Sequence, residues 1–510
     1  MGALGVILIA LAIASATAIA LMFVAGRGGR IPAFGLLRMA RLSRLAAGFS
    51  TSWFGAKLRR LFASGENKTR IDAAARERNA ERLASAMGNM KGAFMKLGQM
   101  MSFVTDAMPT EYQTMLKTLQ AEAPPLDFPT IRDALESELG KPLERAFAEF
   151  EVEPIAAASI GQVHRARLPD GREVAVKVQY PGIARAIKSD LANAGILYRM
   201  IGLMYPGLDP KPVVEELRGR IYEELDYLHE AQSQENFRQL YAGHPFFRIP
   251  EIVTEYSSAR VLTSEFVSGR RFDEIAAEEQ SVRNRYSEIL YRFVFGTTLR
   301  FRAFNGDPHP GNYLFDDEGR IVFLDFGLTK YFPAEMIKPW RSALHAYMEE
   351  DKAAFRERLT ELSFVTPKTD IAAETLYDYF TYFYDCWRLD RDFTFTDEYN
   401  AKSFEMIFKP KGQFEGLQKK LNMPRDFVFV NRIQWGVMSI LAKLDATGNW
   451  HKIHREYMFG DSPSTAMGEE IAAWREGWNA KMGLGGREIF VSESGLNDED
   501  LGNFPPCRSA

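Results

Sequence analysis

With 510 residues, 46% hydrophobic, 25% charged and 12% aromatic, the chain is long enough for about three domain-sized units around packed cores. Its two cysteines, Cys386 and Cys507, exclude a disulfide scaffold and a cysteine zinc motif. A formal net charge of −4 argues against a nucleic-acid binder, which needs a basic face. That charge is unevenly placed. Residues 1–65 hold no Asp or Glu and eight basic residues, so the rest of the chain stands at −12 once those eight charges are set aside.

From Leu4 to Val24 no residue is charged, and eleven are Leu, Ile, Val or Phe. As a helix rising about 1.5 Å per residue, this run spans about 31 Å, against a hydrocarbon core of about 30 Å. It is predicted to be an uncleaved, single-pass transmembrane anchor. The rival is a signal peptide processed near Ala14-Ser15-Ala16, but no basic residue precedes the run, which is also long for such a peptide. All nearby positive charge follows the span, which places the body on the cytoplasmic side. The stretch Phe34 to Phe62 mixes Leu, Phe, Trp53 and Arg, and suits either an anionic lipid surface or a solvated basic linker.

Helical patterns then cover 71–103, 110–120 and about 129–139, separated by Pro124-Pro125 and Pro129. From 151 the texture turns to β. Val163–Leu168 and Glu173–Gln179 alternate about a Pro169-Asp170-Gly171 turn and read as a hairpin. Helices are predicted near 182–204 and 210–240, with strands at Glu251–Glu255 and Val261–Val267. After Phe272 the chain reads as helical, interrupted by a strand pair at Tyr313–Phe315 and Ile321–Leu324. His451 and His454 read as surface residues and Trp435 to Met438 as core. From 484 the chain is rich in Gly, Ser, Asp and Asn and reads as disordered.

Four pieces carry chemistry, in an order that suits a nucleotide site between a β-rich and a helical lobe. Val174-Ala175-Val176-Lys177 is a strand ending in a lysine, as in the lysine strand of protein kinases. Glu223-Glu224-Leu225-Asp226 lies on a helix, where an acid can pair with Lys177 and hold it on phosphates, although the run alone also reads as a solvated acidic face. Asn305-Gly306-Asp307-Pro308-His309-Pro310-Gly311-Asn312 sets Asp307 and Asn312 five apart, the spacing of the kinase catalytic loop. The strand Ile321–Leu324 then delivers Asp325-Phe326-Gly327. Phosphoryl transfer is mostly positioning and charge neutralisation, so oxygens from Asn312 and Asp325 suit Mg²⁺, and Asp307 suits the nucleophile. Glu265-Phe266-Val267 ends a strand where a hinge would hold adenine through its backbone.

Two departures from protein kinases stand out. The loop before the lysine strand reads Ala156-Ala157-Ala158-Ser159 rather than a glycine-rich run, so its Cβ atoms restrict approach to phosphates. Only Leu328 to Phe332 separates Asp-Phe-Gly from Pro333-Ala334-Glu335, too short for a peptide-binding activation segment.

With Lys96-Leu97-Gly98-Gln99 and Glu224-Leu225-Asp226 added to these motifs, the sequence resembles the UbiB-type (AarF-domain) atypical kinases over about residues 85–335. The resemblance implies an α+β, bilobal protein-kinase-like fold with an N-terminal helical extension; the N-terminal transmembrane helix read above is a departure, since familiar bacterial members of the family carry hydrophobic helices at the carboxyl end. Together with the residue readings, the resemblance divides the chain into an anchor at 1–26, a basic juxtamembrane segment at 27–70, a helical extension carrying Lys-x-Gly-Gln at 71–150, an N-lobe at 151–270, a helical C-lobe at 271–483 and a tail at 484–510. It implies ATP/ADP and Mg²⁺ as cofactors, with Lys177, Glu224 and Asp307 catalytic, and Asn312 and Asp325 at the metal. Ala156, Ala157, Ala158, Ser159, Lys177, Glu265 and Val267 would bind the nucleotide. Lys96, Gln99, Asp226 and Glu230 would form a regulatory contact that blocks peptide binding and favours ATP hydrolysis. The activity implied is that of a membrane-associated kinase or ATPase supporting ubiquinone biosynthesis; the charge after the span and the lack of an Arg- and Ser-rich presequence of the mitochondrial type point to a bacterial inner membrane with the kinase domain cytoplasmic. Its partners would be anionic lipid, isoprenoid quinone intermediates and quinone-biosynthesis proteins, with no nucleic acid. A small-molecule hydroxyl phosphotransferase and a nucleotide-binding pseudokinase scaffold are the alternatives.

Overall fold

The computed structural model describes residues 125–158, 160–191, 210–305, 308–366, 369–408, 412–417, 420–422, 424–482, 488–492 and 495–499. The expected anchor, the basic segment, Lys96, Gln99, Ser159 and Asp307 lie outside them. Among the described residues, no helix is long and apolar enough to cross a membrane.

The chain enters through α1 (Phe128–Leu139), with Pro129 in its first turn and Gly140 closing its end at φ 66°, and the short α2 (Leu143–Ala146). Next come β1 (Glu149–Phe150), β2 (Ala156–Ala158), β3 (Gly161–Arg167), β4 (Glu173–Gln179), α3 (Ile183–Leu191), α4 (Pro210–Glu224), α5 (Tyr227–Leu240), β5 (Phe247–Arg248) and β6 (Val261–Glu265). The small-lobe sheet runs β1-β3-β4-β6, with β2 paired to β3. β3 and β4 form the predicted hairpin, with Gly171 at φ 91° in its turn. Alternation along β4 buries Val174, Val176 and Val178 against Ile131 and Leu135 of α1 and Leu143 of α2. The same alternation turns Lys177 to the opposite face.

Two local readings are corrected here. The stretch 210–240 is two helices, because Asp226 is extended (φ −119°, ψ 100°) and its carboxylate accepts the Leu228 N–H, starting α5 afresh. Of the strand expected at 251–255 only an isolated antiparallel bridge forms, Ile252 with Ser264, in which the Val253 N–H donates to the Thr263 carbonyl and the Glu265 N–H to the Glu251 carbonyl. The pairing goes no further because Thr254–Tyr256 turns as a 3₁₀ helix, with the Ser257 hydroxyl donating to the Val253 carbonyl and accepting the Thr263 N–H. The expected helix beyond 182 is described as far as Leu191.

The large lobe holds α6 (Phe272–Ala276), α7 (Gln280–Tyr291), a π turn over Arg292–Gly296, α8 (Thr297–Phe301), β7 (Ala303–Asn305), β8 (Tyr313–Phe315), β9 (Ile321–Phe323) and β10 (Thr329–Tyr331). It continues with α9 (Ala334–Met348), α10 (Lys352–Glu361), α11 (Ala373–Arg388), β11 (Phe393–Thr394), α12 (Asp397–Phe408), α13 (Arg425–Lys443), β12 (Thr447–Gly448), α14 (Trp450–Met458) and α15 (Ala466–Met482). Trp435 and Met438 are core, as read. His451 and His454, read as surface, are both buried: α14 is amphipathic, and its His454 ring stacks on Trp387 with centroids 4.3 Å apart. Part of the stretch read as disordered forms the antiparallel pair β13 (Glu488–Ser492) and β14 (Gly495–Glu499), with β13 beside α8 and β7 and β14 beside α5. The run Ile489-Phe490-Val491 supplies β-propensity that the polar composition around it hides.

Candidate active site

Lys177 reaches the interior of the site from the middle of β4. Its Nζ donates to Glu230 Oε1 at 2.7 Å and lies 3.5 Å from Asp325 Oδ2. Burial would lower the lysine's pKa, but the Asp325 and Glu230 carboxylates outweigh it and hold the ammonium well above its usual range. The amine is therefore a fixed cation.

Its short partner is Glu230, not Glu224. This follows from the helix break: Asp226 ends one helix and caps the next, which puts Glu230 in the first turn of α5 facing β4. Glu224, the last residue of α4, is buried in the same patch. A Cβ added at Gly327 would come 3.3 Å from Glu230 Oε2, 3.4 Å from Asp325 Oδ1 and 3.6 Å from Glu224 Cγ. Asp226, expected at a regulatory contact, is exposed and spends its carboxylate on the Leu228 amide.

Asp325 is aimed by its neighbours. Phe326 is fully buried against Phe237 of α5, with centroids 5.1 Å apart, and the Asp325 carboxylate accepts the Gly327 N–H at 3.0 Å. The Thr329 hydroxyl donates to the Phe326 carbonyl, and β10 then pairs with β7. The short segment before Pro333 is thus a pinned strand.

The β8–β9 hairpin brings Asn312 beside Asp325. Tyr313 pairs with Phe323, and one step outward the Leu324 N–H donates to the Asn312 carbonyl at 3.1 Å. His309 shapes the loop, its Nδ1 accepting the Gly311 N–H. Asp307 itself lies outside the described residues, but both flanks are fixed. Asn305 pairs with Thr329, and the Pro308 ring sits where a Cβ on Gly436 of α13 would lie, 2.2 Å from Pro308 Cγ.

The nucleotide-side residues are partly as read. Ala156–Ala158 form β2 and pair with Val163, Gln162 and Gly161, so this run is a strand rather than a loop. A Cβ on Gly161 would meet the Val178 carbonyl oxygen at 2.1 Å, so the hairpin end needs glycine to cross β4. At the connection between lobes, the Glu265 and Phe266 N–H groups donate to the Glu251 and Glu173 carbonyls. The Glu265 side chain pairs with Arg248 at 2.7 Å, while Val267 is buried at the exit of β6. Tyr227 was missed by the sequence reading, although its position after the capping Asp226 and three before Glu230 puts it on the face of α5 turned to Lys177.

The ABC1 atypical kinase-like domain family matches residues 118–359. The Rattus norvegicus protein named atypical kinase COQ8B, mitochondrial, is 31% identical over 343 residues, covering 67% of this chain and 65% of that protein. The Caenorhabditis elegans protein named atypical kinase coq-8, mitochondrial, is 28% identical over 449 residues, covering 86% of this chain and 58% of that one. The chain thus spans less than two thirds of the length of these relatives. Among solved structures, the Rv3197–erythromycin complex from Mycobacterium tuberculosis superposes with a TM-score of 0.56 at 28% identity, over 76% of this chain and 97% of that one. Motifs, fold and relatives agree: the chain belongs to the UbiB family of ABC1 (AarF-domain) atypical kinases, with the COQ8 proteins among its relatives.

Proposed function

We propose that this protein is a Mg-ATP-dependent atypical kinase or ATPase, held at a bilayer by residues 4–24, that supports isoprenoid quinone lipid biosynthesis, ubiquinone being the expected product. The observation that carries the nucleotide reading is the Lys177 ammonium lying 2.7 Å from Glu230 and 3.5 Å from Asp325. A cation fixed beside an acid that still has about a quarter of its side chain exposed fits a metal–polyphosphate ligand. Among the described residues, no group of three or more His, Cys, Asp or Glu side chains could hold a metal by itself. This suits Mg²⁺, which is bound through one or two protein oxygens and shared with phosphates. Asp325 and the Asn312 amide would hold it, and the metal supplies neutralisation of phosphate charge.

The chain's own residues do the rest. Lys177 would hold phosphate oxygens, Glu230 keeps the lysine in place, Asp307 would orient the attacking hydroxyl or water, and the Glu265–Val267 backbone would take adenine. The pinned β10 in place of a long activation segment disfavours a peptide substrate. The eight basic residues before 65 suit anionic lipid on the cytoplasmic side, which in a bacterium means the inner membrane.

The test is ATP turnover by the full chain with anionic liposomes. Turnover should need Mg²⁺, rise with the liposomes and fall by about 10²-fold or more in Asp325→Asn, as for loss of an electrostatic group at a transition state. Turnover unchanged by that substitution refutes the reading.

A further inference from the structure

We propose that Tyr227 is a ligand-binding residue, its hydroxyl reserved for a phosphate oxygen of the bound nucleotide while its ring positions Lys177. The inference rests on the nucleotide reading above and adds a donor that the family motifs do not include.

The residue is fixed at its backbone. The Tyr227 N–H donates to the Ala259 carbonyl at 3.1 Å, and the Gln179 amide, from the end of β4, donates to the Leu225 carbonyl at 3.0 Å. Between these ties the side chain is buried, 1% exposed, with its ring centroid 5.0 Å from Lys177 Nζ. An ammonium over a tyrosine face is attracted by the ring quadrupole, so the ring steadies the lysine alongside its carboxylate contacts.

The hydroxyl is what points to a ligand. It is buried, yet no described residue shares a hydrogen bond with it. Buried hydroxyls nearly always have a partner, and one without a partner in a charged site is the group an incoming ligand would satisfy. Burial, joined by the Glu230, Asp325 and Glu224 carboxylates and opposed by Lys177, pushes its ionisation well above the usual phenol range. It therefore stays an O–H donor. A neutral donor next to a fixed ammonium suits an oxyanion that the same ammonium binds, which in this site is a phosphate.

A hydroxyl that served only the fold would behave oppositely on removal, and this makes the assignment testable. In the full chain, Tyr227→Phe keeps the ring and deletes the donor. The ligand-free unfolding temperature should stay level or rise, while affinity for MgADP, read by titration calorimetry, should fall about ten-fold. Tyr227→Leu, which also removes the ring, should lower both. The assignment is overturned if Tyr227→Phe binds MgADP as the wild type does, whether or not its unfolding temperature drops. If the wild type itself binds no MgADP, the nucleotide reading falls and this inference with it.

Discussion

Lys177 has two carboxylates within reach and makes its short contact with the more buried one: Glu230 is 2% exposed, Asp325 27%. A carboxylate stripped of water depends on its cation far more than one still partly hydrated. Removing the cation alone should therefore be worse for the fold than removing both partners. Lys177→Met is expected to lower stability by about 3 kcal/mol, because two acids are left facing each other uncompensated. Adding Glu230→Gln should recover part of that loss in urea unfolding, while turnover in the double variant falls no further than in the worse single one. Additive losses in both measurements would show that the pair is not a unit. Much of this was legible in the chain itself. Alternation about Val174, Val176 and Val178 is enough to aim Lys177 away from the apolar face, and the strand Ile321–Phe323 is enough to deliver Asp325. The choice between Glu224 and Glu230 was not legible from helical periodicity, because a single capping carboxylate resets the phase of the helix. Asp226 was the available signal, but a lone aspartate within an acidic run gives no sign that it caps.

At the scale of elements, close approach decides what the backbone tolerates. Helix α13 carries Gly436 midway along its length, where alanine ordinarily stabilises a helix by about 1 kcal/mol. Here the added Cβ would lie 2.2 Å from Pro308 Cγ, well inside contact distance, and proline is a poor residue to move because its ring restrains the loop. Overlap should win over propensity. Gly436→Ala is expected to destabilise by about 1–3 kcal/mol, as overpacking does. It should also lower kcat more than it raises KM for MgATP, since Pro308 neighbours Asp307 while the lysine, Glu230 and hinge lie elsewhere. A gain in thermal stability with unchanged kcat would mean that the loop does not rest on this glycine. Long-range contacts of this kind are what the chain alone conceals. The β3–β4 and β8–β9 hairpins were readable because their partners lie within a few residues. The parallel pairing of β5 with β9, and the antiparallel pairing of β7 with β10 across the catalytic loop, join segments that nothing local ties together.

Across the whole molecule the large lobe is held by an aromatic core threaded with buried polar groups, and this sets how the protein should respond to acid. Arg292, in the π turn, is buried and bonded to Glu288 and Glu456, fastening α7 to α14. Two residues before Glu456 on α14, His454 is fully buried, with Nδ1 2.8 Å from the Tyr291 hydroxyl and its ring stacked on Trp387. Burial, with a smaller push from His451, lowers its pKa to about 3. In the unfolded chain the same imidazole titrates near its ordinary value of about 6.5. The folded state therefore binds the proton less readily. The contribution of the neutral ring is complete above about pH 6.5 and drains away as pH falls through the interval toward 3. Unfolding temperature is thus expected to fall on acidification from pH 7 to 4.5, and His454→Gln, which has no proton to take up, should show a shallower fall over that interval. The variant will start lower at pH 7, because the ring's packing on Trp387 is lost, so the slope and not the height is the readout. Parallel slopes would show that the acid sensitivity of the lobe comes from elsewhere, with the Arg292–Glu456 pair the next group to examine.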